Sequence, residues 1–380
     1  MFDCRNSKTD QRGTKHGKRD TADEGRNPKP TIRNYIMLKS KHQPPFLIAE
    51  IGGNHEGDFQ YAKKLTQLAI ESGADAVKFQ IYTGDTLVSS HESPDRNQHF
   101  KKFELSKEQH ITLAKMVLGA GKMYSASVWD IEALNWIDPY ISFYKIGSGD
   151  LTAYSVLKAT VQKKKPLVIS TGLSTEEEVI ACVKYIQSLD KLYHKPGYLA
   201  VLQCTSMYPI GQEDTHLHVM KQFNKKLNIS TGYSDHTEGM FALEVAATMG
   251  AEILEFHFTD SREGKLFRDH KVSLTCDEVK SLRQKIKQIK AIQGNSEKKP
   301  MPIEIENGHH ISFRRAVYPS RDIKKGEILT DSNLTVLRPL SGIDARDYDK
   351  LLGQKLVCDV KKHQKLEWNF MAEKDKANTI

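Results

Sequence analysis

Short runs of β-branched and aromatic residues recur along the chain from Phe46 onward. Longer segments with apolar residues three and four positions apart separate them, and this alternation predicts buried strands followed by amphipathic helices. The eight runs are FLIAEIG (46–52), AVKFQIY (76–82), MYSASV (123–128), FYKIGSG (143–149), PLVIST (166–171), YLAVLQCT (198–205), NISTGYS (228–234) and ILEFHFT (253–259). Eight strand–helix units in about 250 residues predict an α/β protein with a (β/α)8 TIM barrel. A doubly wound open sheet is the alternative.

Two predicted helices carry signals at their first turns. Ser174 and Glu177 have the spacing of a capping box, as do Thr275 and Glu278. Gly250 stands where the helix before the last strand is expected to end. The two capping boxes place helix starts after the fifth and eighth strands, and Gly250 places a helix end before the eighth.

The pattern changes after Gly294. The stretch EKKPMPIEIENGHHISF has two prolines and no helical period, and short strand-like pieces follow it: RRAVYPSRDIKKGEILT, NLTVLRPL and QKLVCDVKKHQKLEW. We therefore predict a small, mostly β second domain. The expected boundaries are a tail at 1–40, the barrel at 41–295, a linker at 296–311, the second domain at 312–372 and a tail at 373–380.

The charge of the chain is concentrated at its start. The formal net charge is +8, and residues 1–35 hold nine Lys or Arg against five Asp or Glu, 9 − 5 = +4. This segment is poor in large apolar residues, which predicts a disordered basic tail, with a nucleic-acid-binding arm as the alternative. The chain shows no secretory signal and no membrane-spanning run, and its five scattered cysteines form no CxxC motif. We expect a cytoplasmic protein with reduced thiols that binds neither nucleic acid nor membrane.

Period-2 alternation assigns the direction of side chains in the strands. It points Lys78 and Gln80 of the second strand toward the barrel axis, together with Lys145 of the fourth and Glu255 and His257 of the eighth. Buried charges of this kind are costly unless they meet an anionic partner or a metal. An internal polar cluster is the simpler alternative, but the coincidence of these groups favours a site.

His236 follows the seventh strand, and His257 lies near the end of the eighth. Because these strands are neighbours in a barrel, both imidazoles are expected to meet at its C-terminal mouth, where TIM-barrel sites lie. Two imidazoles with open positions suit a divalent first-row metal acting as a Lewis acid. A closed structural zinc site would require four ligands.

Ordered motifs over residues 46–370 resemble the sialic acid synthase family. They are IAEIGGNHEGD, DAVKFQ, YKIGSGDL, VISTG, LQCTSMYP, GYSDHTEG and LEFHFTD followed by FRDHKVSL. The C-terminal part resembles the family's antifreeze-like (SAF) domain. The resemblance implies condensation of phosphoenolpyruvate with an N-acetylated amino sugar, such as N-acetylmannosamine, to a nine-carbon 2-keto-3-deoxy sugar acid and phosphate. It also implies Mn2+ or Mg2+ as cofactor and a domain-swapped homodimer.

The same resemblance assigns roles to individual residues. It implies that His236 and His257 bind the metal and that Glu50, Asp150 and Lys145 are catalytic, with Glu50 or Asp150 activating water. The residues that it implies in substrate binding are Lys78, Gln80, Ser170, Tyr208, Ser234, Asp269 and Arg338. Lys78, Lys145, Ser170 and Ser234 match positions that hold the anionic groups of phosphoenolpyruvate. Asp269 matches a position that meets the sugar, and Arg338 matches an arginine that reaches the N-acyl group from the partner subunit.

There are two departures from the family pattern, the first at residues that concern the phosphate contacts and the second at residues that concern the identity of the sugar. Gln203 and Ser206 stand where many bacterial members have His and Asn, and REGKLFRDH replaces a Gly-Pro-Asp-His run. Synthesis of another ulosonic acid, such as legionaminate or pseudaminate, is therefore an alternative. The other two alternatives are a Schiff-base aldolase using Lys145 or Lys78 and a carbohydrate-binding protein with a decayed barrel.

Overall fold

The computed structural model describes residues 43–372, so both predicted tails lie outside the described residues. It consists of two compact units that divide after Gly294. The first unit is built on a closed barrel of eight parallel strands in sequential order, which confirms the predicted fold. The strands, β1 to β8, are Phe46–Glu50, Ala76–Ile81, Met123–Val128, Phe143–Ile146, Leu167–Ser170, Leu199–Gln203, Ser230–Asp235 and Ile253–His257.

Helices follow the strands and form the outer layer of the barrel. They are α1 (Phe59–Glu71), α2 (Gly84–Leu87), α3 (Pro94–Lys102), α4 (Lys107–Gly119), α5 (Ala133–Ile137), α6 (Tyr154–Val161), α7 (Glu176–Leu189), α8 (Val219–Leu227), α9 (Phe241–Thr248) and α10 (Cys276–Gln293). Short 3-10 turns at Ser148–Asp150 and Arg268–His270 follow β4 and β8. No helix within residues 43–372 is both long enough and apolar enough to cross a bilayer.

The barrel interior is apolar at its N-terminal end and polar above. An apolar plug fills that end; it consists of Phe46, Ile48, Ala76, Met123, Phe143, Val168, Ala200, Leu202 and Ile253. Leu254 and Phe256 alternate with Glu255 and pack outward against the helices. The predicted side-chain directions in β2, β4 and β8 are thereby confirmed. Polar inward positions at the strand ends place charged groups directly above the plug.

Gly232 lets β7 and β8 approach closely. A Cβ atom at Gly232 would lie 2.1 Å from the carbonyl oxygen of Ile253. No other residue type fits without moving a strand. The same two strands lead to His236 and His257, so this contact helps to fix their separation.

Of the two predicted capping boxes, one was right and the other was placed one residue too early. Glu278 accepts a hydrogen bond from the backbone N–H of Thr275 at 2.8 Å, as predicted. At α7, however, Thr175 is the N-cap, and Glu178 accepts from its backbone N–H at 2.8 Å. A Ser-Thr pair followed by three glutamates offers two equivalent registers, and spacing alone does not choose between them.

The second unit has a small core of its own around a two-stranded antiparallel sheet. β9 (Ala316–Pro319) pairs with β10 (Leu334–Leu337), and the third predicted piece, 354–368, is represented by isolated bridges, such as Leu356 with Met371. The helical elements are α11 (Pro302–Glu306), α12 (His309–Ser312) and α13 (Tyr348–Leu351). The predicted linker therefore contains two short helices, which are too short to show a helical period in the sequence.

Candidate active site

A cavity of about 1180 Å3 opens at the C-terminal ends of the barrel strands. It is lined by all eleven barrel residues predicted for the site: Glu50, Lys78, Gln80, Lys145, Asp150, Ser170, Tyr208, Ser234, His236, His257 and Asp269. They come from β1, β2, β4, β5 and β8 and from the loops after β4, β6, β7 and β8, with Ser234 at the end of β7. Arg338, the twelfth, is exposed in the second unit, directly after β10.

Two lysines lie at the bottom of the cavity. Lys78 donates a hydrogen bond to Glu50 Oε2, and Gln80 donates to Glu50 Oε1 at 3.0 Å. Lys145 donates to the hydroxyl oxygen of Ser170 at 2.6 Å. Both ammonium groups are almost fully buried, so each is held by protein groups instead of water.

Glu255 joins the two lysines. Its Oε1 lies 3.5 Å from Lys78 Nζ and 3.6 Å from Lys145 Nζ, and it accepts from Ser234 Oγ at 3.3 Å. Burial alone would raise the pKa of Glu255, but the charges of Lys145 and Lys78 outweigh it and lower that pKa. Glu255 is therefore an anion that lies close to both lysines and partly offsets their charge.

The two lysines differ in how firmly they hold their protons. Burial lowers the pKa of Lys145; the Glu255 charge opposes this shift and the Lys78 charge adds to it. Burial acts on Lys78 in the same way, but the Glu255 and Glu50 charges outweigh it and the pKa of Lys78 is raised. Lys78 is thus a fixed cation, whereas Lys145 is the more acidic of the two.

His236 and His257 meet above the lysines. Their ring centroids are 5.4 Å apart, and the Tyr208 ring lies 3.9 Å from His236 and 5.5 Å from His257. His236 Nδ1 lies 2.7 Å from the carbonyl oxygen of Thr205, which can only accept, so Nδ1 carries the proton and Nε2 keeps its lone pair. Burial lowers the pKa of both rings, which keeps them neutral.

The donor set fits a divalent metal with two protein ligands. His257 Nδ1 is buried and has no hydrogen-bond partner among the described residues, and a backbone carbonyl orients His236 in the way that outer-shell partners orient metal ligands. Within residues 43–372, no three His, Cys, Asp or Glu side chains form a metal-binding group. The protein would thus supply two imidazoles, and oxygen atoms of water or substrate would complete the coordination.

Two further carboxylates face the cavity. Asp150 ends the turn after β4, and burial raises its pKa against the opposing charge of Lys145. Asp269 Oδ2 lies 3.8 Å from His257 Nδ1, and burial raises the pKa of Asp269 as well. Both carboxyl groups are therefore more basic than exposed ones, as acid–base catalysis near neutral pH requires.

Buried hydrogen bonds fix the loop that carries Asp269. Ser273 Oγ donates to the Asp269 carbonyl at 2.6 Å, and Asn54 Nδ2 donates to Ser273 Oγ at 2.8 Å. Asn54 also donates to the carbonyl of Phe258, which directly follows β8, at 2.9 Å. The loops after β1 and β8 are thus joined, and Asp269 is held over the histidines.

The structure adds residues to which the sequence assigned no role. Glu255 was recognised as inward-facing, and its position two residues before His257 was the signal available. Arg268 lies with its guanidinium carbon 4.6 Å from the centroid of the Tyr208 ring. Gln203 donates a hydrogen bond to the carbonyl of Thr215 at 3.2 Å, whereas its neighbour Cys204 lines the cavity. The Gln203 departure therefore does not touch the site.

Comparison with known proteins identifies the family of the chain. The NeuB family model matches residues 65–298, and the SAF domain model matches residues 314–370. An N,N'-diacetyllegionaminic acid synthase of Legionella pneumophila is 34% identical over 356 residues, covering 89% of this chain and 98% of the relative. The N-acetylneuraminate-9-phosphate synthase of Homo sapiens is 30% identical over 331 residues, covering 83% and 90%.

A solved structure has the same arrangement of elements. The N-acetylneuraminic acid (sialic acid) synthetase of Leptospira borgpetersenii, crystallised with citrate, has a TM-score of 0.64 and 26% sequence identity; the match covers 71% of this chain and 92% of that one. The predicted resemblance is confirmed. The chain belongs to the NeuB family of sialic-acid-type synthases, and it carries an SAF domain.

Proposed function

We propose that this enzyme condenses phosphoenolpyruvate with an N-acetylated amino sugar, giving a nine-carbon 2-keto-3-deoxy sugar acid and phosphate. The observation that carries the proposal is the stacking of two layers in one cavity. Lys78 and Lys145 form a buried cationic floor, and His236 and His257 lie above it. The floor suits a small polyanion, and the histidine layer suits a carbonyl group.

The floor would hold phosphoenolpyruvate through charge-assisted hydrogen bonds. Lys78, Lys145 and Ser170 supply donors that are already oriented by protein contacts. Glu255 occupies the space between the lysines. On binding, the anionic groups of the substrate would replace this carboxylate as the main partner of at least one lysine.

We propose that His236, through Nε2, and His257 hold Mn2+ or Mg2+. Such a cation, when bound, polarises the aldehyde of the open-chain sugar as a Lewis acid. The contribution of the chain is to keep both imidazoles neutral and to orient His236 through Thr205. Asp269, next to His257, is placed to accept hydrogen bonds from the sugar hydroxyls.

The bond changes need one base. C3 of phosphoenolpyruvate attacks the aldehyde carbon, water adds at C2, and the C2–O bond to phosphate breaks. Both oxygens of Glu50 accept hydrogen bonds, from Lys78 and Gln80. We therefore assign the activation of water to Asp150, whose pKa burial raises, and the orientation of Lys78 to Glu50.

One observation keeps a Schiff-base aldolase in consideration as a second candidate. The lowered pKa of Lys145 is a property of nucleophilic lysines. Its Nζ, however, donates to Ser170 and lies near Glu255, which suits an anion-binding cation better. Borohydride added with substrate would trap an imine on an aldolase and leave the synthase active.

We also propose that two copies assemble, with the second domain of each covering the barrel mouth of the other. Large apolar side chains on the loops after β5, β6 and β8 support this: Leu173 is 80% exposed, Met207 65% and Leu266 98%. In an isolated subunit these apolar side chains would be exposed to water. In this assembly Arg338 of the partner subunit would reach the N-acyl group of the sugar.

Release of phosphate from phosphoenolpyruvate, measured with a panel of N-acetylated amino sugars and Mn2+ or Mg2+, tests the proposed reaction. We expect release that depends on one class of sugar, together with a product whose mass equals that of the sugar plus pyruvate. Phosphate release that does not depend on the sugar, or a product that retains phosphate from phosphoenolpyruvate, would contradict the reaction.

A further inference from the structure

An indole N–H without a partner lies in the cavity beside Asp150. Trp129 directly follows β3, Asp150 ends the turn after β4, and both line the cavity. The Trp129 Nε1 atom is buried and makes no hydrogen bond to any of residues 43–372. Buried donors almost always have a partner, so this N–H requires an explanation.

The Trp129 side chain is held by contacts from two other elements. The backbone N–H of Trp129 donates to the carbonyl of Ile81, the last residue of β2, at 2.9 Å. Its ring packs on Tyr82, with centroids 5.4 Å apart and an angle of 33° between the planes, and Tyr82 meets the Phe100 ring of α3 edge-on at 5.3 Å. The position of the indole N–H is therefore set by β2 and α3 as well as by β3.

Gly147, which follows β4, leaves a small space beside both groups. A Cβ atom at Gly147 would lie 3.5 Å from Asp150 Oδ2 and 3.7 Å from Trp129 Nε1. These are ordinary contact distances, so a group the size of a methyl or a water molecule fits at this point and touches both side chains. Because glycine has no side chain, the protein does not fill the point itself.

The two side chains interact, although they are not hydrogen-bonded to each other. Burial raises the pKa of Asp150, and the Trp129 N–H and the Lys145 charge oppose this shift. The N–H is thus near enough to favour the carboxylate, but the geometry of a direct hydrogen bond is not met. A water molecule beside Gly147 would accept from Trp129 Nε1 and donate to Asp150 Oδ2, which satisfies both groups.

This point lies across the barrel from the histidines. Since the eight strands close in sequential order, β3 and β4 lie opposite β7 and β8. His236 follows β7 and His257 ends β8, where the sugar carbonyl is proposed to bind. Phosphoenolpyruvate held by Lys145, two residues before Gly147, would have the carbonyl on one side and the water on the other.

On the basis of the reaction proposed above, we infer that Trp129, Gly147 and Asp150 form the binding site of the water molecule that adds to C2 of phosphoenolpyruvate. Trp129 Nε1 donates to the oxygen of this water, and Asp150 Oδ2 accepts one of its protons. Gly147 leaves room for the water. Trp129 is thus a catalytic residue, because it touches the attacking oxygen.

The atoms and electrons of this step balance without another reactant. The C2–C3 π electrons form the bond to the aldehyde carbon, and a lone pair of the water oxygen forms the new bond to C2. One water proton passes to Asp150 and from there to the oxygen of the former aldehyde. The C2–O bond to phosphate then breaks with its electron pair on phosphate, which takes the second proton as C2 becomes a ketone.

Gly147→Ala tests the site with the smallest change, because its methyl group takes the place of the water without a clash. We expect kcat to fall by about 100-fold or more, the range of a lost general-base contribution, while calorimetry shows an unchanged Kd for phosphoenolpyruvate. Gly149→Ala is the matched control, since Gly149 lies in the same turn and a Cβ atom there meets nothing within 4 Å. Its kcat should equal that of the wild type.

Trp129→Phe removes the N–H and keeps an aromatic ring against Tyr82. It should lower kcat by about tenfold, as expected for one hydrogen bond. In the Gly147→Ala background the same substitution should lower kcat no further, because the water is already displaced. An equal effect of Trp129→Phe in both backgrounds would show that Trp129 only supports the loop, and would overturn its assignment.

A crystal structure of the full-length wild-type chain that resolves ordered water gives a readout independent of activity. We expect a water within hydrogen-bonding distance of Trp129 Nε1 and Asp150 Oδ2; this structure and Trp129→Phe decide the matter if Gly147→Ala does not fold. Absence of that water, or wild-type kcat in folded Gly147→Ala, would overturn the inference and leave the proposed reaction intact. Absence of phosphate release with every sugar would instead refute the reaction, and with it the assignment of this water to C2.

Discussion

The rings of His236 and His257 lie with their centroids 5.4 Å apart, although His236 follows β7 and His257 ends β8. If both bind a metal, His257→Ala should abolish turnover and lower the metal content of the purified protein while the barrel stays folded. Metal analysis after dialysis, with circular dichroism as the folding check, measures this. His194→Ala changes an exposed histidine and serves as the control. A His257→Ala enzyme with normal metal-dependent activity would remove the metal assignment.

Lys78→Met and Lys145→Met should each weaken the binding of phosphoenolpyruvate by about 10- to 100-fold, because a hydrogen bond to a charged group contributes about 1.5–3 kcal/mol. Isothermal titration calorimetry measures the change. Lys115→Met, an exposed position on α4, should bind as the wild type does. Unchanged affinity in both cavity variants would mean that the anion binds elsewhere.

Glu255→Gln should destabilise the free protein more than the substrate complex. The substitution leaves Lys78 and Lys145 without the carboxylate that lies 3.5 and 3.6 Å from them, and breaking a buried ion pair costs about 3–5 kcal/mol. Thermal unfolding should therefore show a lower Tm without ligand and a larger rise on adding phosphoenolpyruvate than in the wild type. An equal rise in both proteins would show that Glu255 does not exchange with the substrate.

Two buried histidines should make the barrel sensitive to acid. Burial lowers the pKa of His55 to about 4 and that of His110 to about 3, whereas both titrate near 6.5 in the unfolded chain. Below pH 6.5 the unfolded state binds protons that the folded state does not. The contribution of these two histidines to stability is therefore fully present above pH 6.5 and decreases as the pH falls toward 4 and 3.

The variant His110→Phe tests this, because His110 already packs between aromatic rings, with Phe79 and Trp136 each 6.3 Å away. Between pH 7.5 and pH 5 it should lose about 2 kcal/mol less unfolding free energy than the wild type. Urea unfolding at the two pH values gives this difference. Identical losses would mean that His110 is already protonated in the folded state.

Mixing two inactive variants tests whether Arg338 acts across subunits. When His257→Ala and Arg338→Ala subunits are exchanged, half of the dimers should be hybrids with one intact site each, so activity should recover to about a quarter of the wild type. Arg338 is exposed, and its guanidinium carbon lies 5.2 Å from the Phe313 ring centroid. No recovery from subunits shown to have exchanged would exclude action in trans.

The barrel and the direction of its inward side chains followed from the sequence because parallel strands with two buried faces have a strict period of two. Lys78, Lys145 and His257 were placed in this way. The sharing of Glu255 by both lysines was not accessible, since it depends on the distance between strands that are not neighbours. The hydrogen bonds from Asn54 to Ser273 and to the Phe258 carbonyl likewise depend on two loops whose conformations no periodic pattern determines.

The apolar plug fills the barrel below the two lysines, so within residues 43–372 the cavity opens toward the C-terminal ends of the strands. If phosphoenolpyruvate binds on the cationic floor, the sugar that follows lies between it and the mouth of the cavity. The reactants must then enter in a fixed order, with the deeper one first, and phosphate cannot leave before the new sugar acid has moved from above it. The packing of Phe46 and Phe143 at the far end of the barrel would thus determine the order of substrate binding and product release at the other end.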